Sequence, residues 1–201
     1  KSGSKKWISR QIHDEYTQKK ISQGFRSRSA FKLLEIEKKF KILKNNSSIL
    51  DLGATPGGWS QVLAKKVKNG KIVATDILPM KEIENVSFIL GDFLNIEVQK
   101  KILSLFNCKI DIIVSDMAVN TTGNKHLDSY RATELVLNAI KFSKTILKKN
   151  GIFLSKIFMG SEFEEIKKNA NLLFEKVFFY KPKSSRKESK ELYILCKYVV
   201  Y

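Results

Sequence analysis

Three observations predict an α/β fold whose mostly parallel sheet carries helices on both faces and a reversed last strand. Short apolar runs alternate with longer amphipathic segments from Ser48 onward. A glycine-rich turn joins the first run to the helix after it. The last two runs, Lys176–Tyr180 and Leu192–Tyr198, are linked by a polar loop with no helical segment between them. Alternation of strand and helix builds parallel pairs, whereas a helix-free connection is a hairpin and makes an antiparallel one.

The elements follow in order. Residues 1–28 are polar and basic, with scattered Trp7, Ile8 and Tyr16, and are expected to be an arm rather than part of the core. From Ser29, the candidate N-cap, Ala30, Phe31, Leu33, Leu34, Ile36 and Phe40 recur on one helical face until Asn45-Asn46-Ser47 breaks it. Ser48–Leu52 is a buried strand, Gly58–Val67 a helix ended by Asn69-Gly70, and Lys71–Asp76 and Val86–Leu90 the next strands. Ile96–Phe106 is helical, and Ile110–Ser115 is the most apolar strand, suited to the sheet centre. Leu127–Lys149 is a long helix stopped at Asn150-Gly151, Ile152–Ile157 a fifth strand, and Glu162–Phe174 the last helix. Residues 29–201 are thus expected to form one domain. The chain opens on Lys1 rather than Met, so a trimmed or truncated N-terminus is expected, and a removed organelle-targeting segment would fit.

The 201 residues are 43% hydrophobic, enough for a packed core. No apolar run approaches the roughly 20 residues of a membrane span, so no membrane partner is expected. Charge is more informative: 37 Lys and Arg against 20 Asp and Glu leave +17. Residues 1–28 hold eight basic and two acidic groups, and residues 181–190 five and one, so these two segments carry +10 of the total. Such clustering favours a surface that tracks phosphates over uniform solvation. Cys108 and Cys196 sit among apolar neighbours and are expected to be buried, reduced thiols. With two His and no paired CxxC, a metal centre is not expected. Nothing in the sequence signals oligomerisation, and a monomer is expected.

The chemistry gathers at strand ends. Asp51-Leu52-Gly53-Ala54-Thr55-Pro56-Gly57-Gly58-Trp59 is a turn that lets a ligand approach backbone N–H groups, but its GxxxGG spacing lacks the GxGxxG of pyrophosphate binders. Asp76 ends the second strand, where a carboxylate accepts ribose hydroxyls, and Asp92 follows the third, placed for the base edge. Together they imply an adenosine-containing cofactor. Asp116 closes the fourth strand and Lys156 lies within the apolar fifth, where an unpaired ammonium is costly. Displacement at a sulfonium carbon by a ribose hydroxyl needs help with the hydroxyl proton, and a desolvated lysine beside a second cation can supply it.

Gly24–Leu33, the Asp51–Trp59 loop, Asp76-Ile77-Leu78-Pro79-Met80, Gly91-Asp92-Phe93, Ser115-Asp116-Met117-Ala118, Lys156-Ile157-Phe158, Ser184-Ser185-Arg186 and Glu191-Leu192-Tyr193-Ile194 together resemble the FtsJ-type ribosomal RNA 2′-O-methyltransferases over nearly the whole chain. The resemblance implies a Rossmann-like class I methyltransferase, a seven-stranded sheet with the last strand antiparallel, and S-adenosylmethionine as cofactor. It implies a catalytic tetrad of Lys32, Asp116, Lys156 and Glu191, with Lys156 as base or orienting group. Cofactor contacts would come from Gly53, Pro56, Gly58, Trp59, Asp76, Asp92 and Asp116. Val119 departs from the family's usual proline before Asn120.

The Trp7–Asp14 stretch is more similar to the bacterial and organellar rRNA branch than to the tRNA anticodon-loop branch. The implied substrate is therefore a uridine of large-subunit rRNA, naked or in the ribosomal subunit, with a tRNA anticodon loop as the alternative, and with phosphates held by the 1–28 arm and the 181–190 loop. The site of action would be intracellular: mitochondrion or another organelle, cytoplasm or nucleolus. A non-catalytic RNA-binding protein and an NAD-dependent oxidoreductase are the competing classes. The first is disfavoured by two lysines among core strands, the second by the missing GxGxxG.

Overall fold

The computed structural model describes residues 15–160, 162–186 and 188–200. Trp7, His13, Lys187 and the basic residues of 1–14 lie outside them. The described elements are α1 (Glu15–Ser22), α2 (Ser29–Phe40), β1 (Ser48–Leu52), α3 (Gly58–Lys66), β2 (Lys71–Asp76), β3 (Val86–Leu90), α4 (Ile96–Phe106), β4 (Ile110–Ser115), α5 (Lys125–Ile146), β5 (Leu147–Phe158), α6 (Phe163–Leu173), β6 (Phe174–Tyr180) and β7 (Glu191–Val199).

The sheet runs β3-β2-β1-β4-β5-β7-β6. β1 pairs in parallel with both β2 and β4, so the strand order reverses direction between β1 and β4, the usual place for a ligand in an open α/β sheet. β7 is antiparallel to both β5 and β6, as the helix-free connection before it predicts. Two apolar clusters cover the two faces. Val98, Ile102 and Phe106 of α4, Ile140 of α5 and Ile166 of α6 pack on one. Phe31, Leu33 and Ile36 of α2 and Trp59, Val62 and Leu63 of α3 pack on the other.

Four local expectations change. Arg28, not Ser29, occupies the N-cap of α2, and no side chain caps it. Ser29 is instead the first helical residue; its carbonyl accepts the Trp59 indole N–H at 2.9 Å and its hydroxyl lies 2.6 Å from that of Ser27. The long helix ends at Ile146 rather than Lys149, since Leu147 is fully buried and pairs with Ile110 in the sheet. Between Ile110↔Leu147 and Ile112↔Ile152, β5 carries three more residues than β4. This bulge folds back so tightly that a Cβ on Gly151 would stand 2.7 Å from the Lys148 carbonyl oxygen. The described part of the 1–28 segment is folded onto the rest: Glu15–Ser22 is helical, and Phe25 lies in the core, its ring edge-on to Phe31 at 5.5 Å. Cys196 is buried as expected, whereas Cys108 is exposed, because it falls in the turn just after the left-handed C-cap Asn107.

Candidate active site

Reversal of β7 creates the site. In antiparallel register with β5, Phe158 pairs with Glu191 and Lys156 with Tyr193, so the start of β7 arrives at the carboxyl edge where β4 releases Asp116. Glu191 and Tyr193 are two residues apart and share a face of the strand. Helix α2 crosses that edge and delivers Lys32 in its first turn.

The four predicted catalytic side chains come together as two ion pairs. Lys156 Nζ lies 3.1 Å from Asp116 Oδ1 and donates to the Asp116 carbonyl at 2.7 Å. Lys32 Nζ lies 2.5 Å from Glu191 Oε1. The side chains are 8% (Lys156), 17% (Asp116), 12% (Lys32) and 13% (Glu191) exposed, so a leftover charge in either pair would be costly. Tyr193 links the pairs. Its hydroxyl is 3.0 Å from Asp116 Oδ1 and 3.4 Å from Glu191 Oε1, and its one proton serves one carboxylate at a time. Burial first, then the charges of Asp116 and Glu191, hold this phenol well above its ordinary pKa, so it remains a donor. The ring of Trp59 lies 5.6 Å from that of Tyr193 and fixes its position. Ser185 donates to Glu191 at 3.3 Å, which ties the basic 181–190 loop to the same network.

Beside the tetrad, a cleft of about 410 Å³ opens at the carboxyl edge over the switch point. Gly53, Asp76, Asp92 and Asp116 line it, with Leu78 and Leu94 as apolar walls. Gly53 has a φ of 73°, and a Cβ there would meet the Met117 Cα at 2.7 Å, so only glycine fits. Asp76 accepts the Thr55 and Leu78 N–H groups at 2.9 Å, one on each oxygen, which fixes the carboxylate and leaves lone pairs for a ribose diol. Asp92 accepts the Leu94 N–H through Oδ1. Three fixed carboxylates around an apolar-walled cleft fit a nucleoside that carries a cationic amino group, and suit a polyphosphate poorly.

Three predicted cofactor residues do not line this cleft: Pro56, Gly58 and Trp59. Trp59 is buried in the α2–α3 core, and a Cβ on Gly58 would collide with the Ser27 hydroxyl, so both serve the docking of α2 on α3. Pro56 follows a cis peptide bond, and its carbonyl faces Arg26.

Sequence reasoning missed Tyr193, Arg26 and Asp51. Arg26 donates to the carbonyls of Lys81 at 2.6 Å, Glu82 at 2.8 Å and Pro56 at 3.4 Å, and so clasps the loop after β2 that supplies Ile77 and Leu78 to the cleft. Asp51 lies within β1 with no solvent exposure. It accepts the Ser60 hydroxyl at 2.6 Å through Oδ2, and its Oδ1 has no partner. Burial, opposed by the Ser60 hydrogen bond and reinforced by Asp116 and Asp76, pushes its carboxyl up to about 7. Tyr193 and Asp51 carried a signal, a tyrosine in step with Glu191 and an acid inside Ile49-Leu50-Asp51-Leu52. Among the described residues no group of three or more His, Cys, Asp or Glu forms a metal site, and no helix is long and apolar enough to cross a membrane.

The strand order, the reversed seventh strand and the acid-lined cleft define a Rossmann-like methyltransferase. A family model described as FtsJ-like methyltransferase matches residues 25–199. The chain belongs to that family. The ribosomal RNA large subunit methyltransferase E of Pelagibacter ubique (strain HTCC1062) is 53% identical over 194 residues, 96% of each chain. Its namesake in Legionella pneumophila (strain Lens) is 44% identical over 196 residues, 96% of this chain and 95% of that one. A Plasmodium falciparum crystal structure, assigned provisionally as a ribosomal RNA methyltransferase, is 37% identical with a TM-score of 0.77, covering 87% of this chain and 98% of that one. Human methyltransferase-like protein 13 in complex with SAH shares the fold, with a TM-score of 0.59 at 14% identity over 82% of each chain.

Proposed function

We propose that this protein transfers a methyl group from S-adenosylmethionine to a ribose 2′-hydroxyl of large-subunit ribosomal RNA, most specifically of a uridine. The observation that carries the reading is the pair of buried lysine–carboxylate bridges joined through Tyr193 beside the acid-lined cleft. The names of the relatives at 53% and 44% identity support ribosomal RNA as the substrate class.

S-adenosylmethionine supplies an electrophilic methyl group on a sulfonium. Asp76 would hold its ribose hydroxyls, Asp92 its base edge, and Gly53 and Asp116 its amino-acid end. Lys156 Nζ orients the attacking 2′-hydroxyl and, as the free amine, takes its proton. Asp116 holds the resulting ammonium through its carboxylate and its carbonyl. Lys32 and Glu191 hold the target nucleotide, with Tyr193 keeping the two pairs in a fixed relation. Residues 29–201 form the catalytic domain. The basic 1–28 segment and the 181–190 loop contact phosphates, so RNA affinity falls with added salt. The enzyme acts as a monomer, and a ribosomal RNA substrate implies action inside the cell, in the cytoplasm or in an organelle or nucleolus where ribosomes are made.

Lys156→Ala tests the assignment. Single-turnover transfer to large-subunit RNA should be abolished, while calorimetry should find S-adenosylmethionine affinity within about threefold of wild type, because the base acts on the acceptor rather than on the donor. Retained turnover would remove Lys156 from the mechanism.

A further inference from the structure

A second depression, of about 570 Å³, lies between α1, α2 and the end of β6, walled by Tyr16, Phe31, Leu34, Lys39, Tyr180 and Lys183. Its surface is aromatic. The Tyr16 and Phe31 rings are 5.5 Å apart, and Tyr180 meets Phe40 edge-on at 5.7 Å. Its rim is basic: Lys38, Lys39 and Lys183 are exposed, and none of them forms a salt bridge among the described residues. Among the described residues the one acid of the groove, Glu35, has both oxygens engaged by backbone N–H groups, those of Lys183 at 2.7 Å and Ser184 at 2.9 Å. Lys39 Nζ sits 4.3 Å from the centroid of the Tyr180 ring, a cation on a face that an unpaired base could equally cover.

The groove shares two elements with the tetrad. Helix α2 carries Lys32 in its first turn and Lys39 in its last, about 10 Å further along the axis at 1.5 Å per residue. The β6–β7 loop carries Lys183 in the groove and Ser185 against Glu191. A strand that presents its ribose to Lys156 and continues along α2 therefore meets the groove one or two nucleotides later. Aromatic faces interleaved with unpaired ammonium groups are the arrangement that holds single-stranded nucleic acid without reading sequence.

We propose that this groove binds an unpaired nucleotide of the substrate RNA flanking the methylated one, with its base against Tyr180 and its phosphate on Lys39 and Lys183. The assignment rests on RNA being the substrate. It explains why Glu35, the single carboxylate of this basic groove among the described residues, is bonded to the backbone of the Lys183 segment: the bond shapes the wall and screens the charge that would repel a phosphate.

The experiment measures binding of transcribed large-subunit RNA, independently of transfer, for wild type, Tyr180→Leu, Tyr180→Phe and the double variant Lys39→Gln/Lys183→Gln. Tyr180→Leu should raise the RNA Kd about tenfold, Tyr180→Phe should stay within about twofold, and kcat at saturating RNA and S-adenosylmethionine affinity should not change. The double variant alters two exposed side chains, so its fold is not at risk. It should reduce the slope of log affinity against log salt by about 0.7, the contribution of one single-strand phosphate. Wild-type RNA affinity in both Tyr180→Leu and the lysine pair would overturn the groove while leaving the methyltransferase reading intact. RNA binding that depends on the groove, in an enzyme that transfers no methyl to ribosomal RNA, would support the groove and refute the substrate. No RNA binding by wild type would overturn both.

Discussion

Asp51→Asn tests how the buried carboxyl of β1 sets the stability of the ligand-free protein. The folded state raises this carboxyl from 3.8 to about 7, with burial as the largest cause. Between those values the folded chain keeps a proton that the unfolded chain has lost. The stability that the protonated form contributes is complete below pH 3.8 and is lost as pH rises through about 7. At 1.36 kcal/mol per pH unit, the loss approaches about 4 kcal/mol as an upper bound, a large part of an ordinary folding free energy. Asparagine can still accept the Ser60 hydroxyl, and its amide N–H₂ takes the place of the unpartnered Oδ1 at a cost of about 1–3 kcal/mol that does not vary with pH. Urea unfolding of both proteins from pH 4 to 8.5 isolates the term, because every other titrating group is common to the two. The stability of Asp51→Asn relative to wild type should rise by about 2–4 kcal/mol between pH 4 and pH 8. A difference that stays flat across the range would refute the argument that Asp51 folds in protonated.

Two further outcomes follow from the same geometry. Tyr193→Phe removes the hydroxyl shared by Asp116 and Glu191 and keeps the ring against Trp59. Single-turnover rates should fall about 10- to 100-fold, the equivalent of one charge-assisted hydrogen bond, with S-adenosylmethionine affinity preserved. Wild-type turnover would reduce Tyr193 to a packing residue. Arg26→Gln frees the loop after β2 from its two carbonyl contacts at Lys81 and Glu82, and the turn after β1 from the one at Pro56, and should weaken S-adenosylmethionine binding about tenfold by calorimetry. Arg26→Lys should not restore it, because a point charge cannot span the Lys81 and Glu82 carbonyls. Loss of RNA affinity with cofactor affinity intact would return Arg26 to the phosphate-binding surface.

Legibility in the sequence followed the range of the interactions. β2, β3, α4 and β4 match the pattern residue for residue, because their apolar periodicity is bounded by local turn signals such as Asn69-Gly70 and Asn107. The long helix was overrun by three residues because Leu147 suits a helix as well as a strand, and only its pairing with Ile110 decides. Asp116 and Lys156 are legible as charged side chains of the fourth and fifth strands, Lys32 and Glu191 only through the family resemblance, and the four converge. The Trp59 side chain turns to the core, where its indole N–H meets Ser29, 30 residues away, and a tryptophan beside a glycine-rich turn looks the same in sequence whether it faces ligand or core. The clasp of Arg26 on Lys81 and Glu82 spans more than 50 residues, and no local pattern encodes it.

The most direct measurement supplies S-adenosylmethionine labelled in its methyl group to ribosomal large subunits and, separately, to total tRNA, then maps any product by nuclease digestion. Label is expected in large-subunit RNA, on a ribose 2′-oxygen, dependent on Lys156. Label on a base, or in tRNA alone, would contradict ribose methylation of large-subunit RNA.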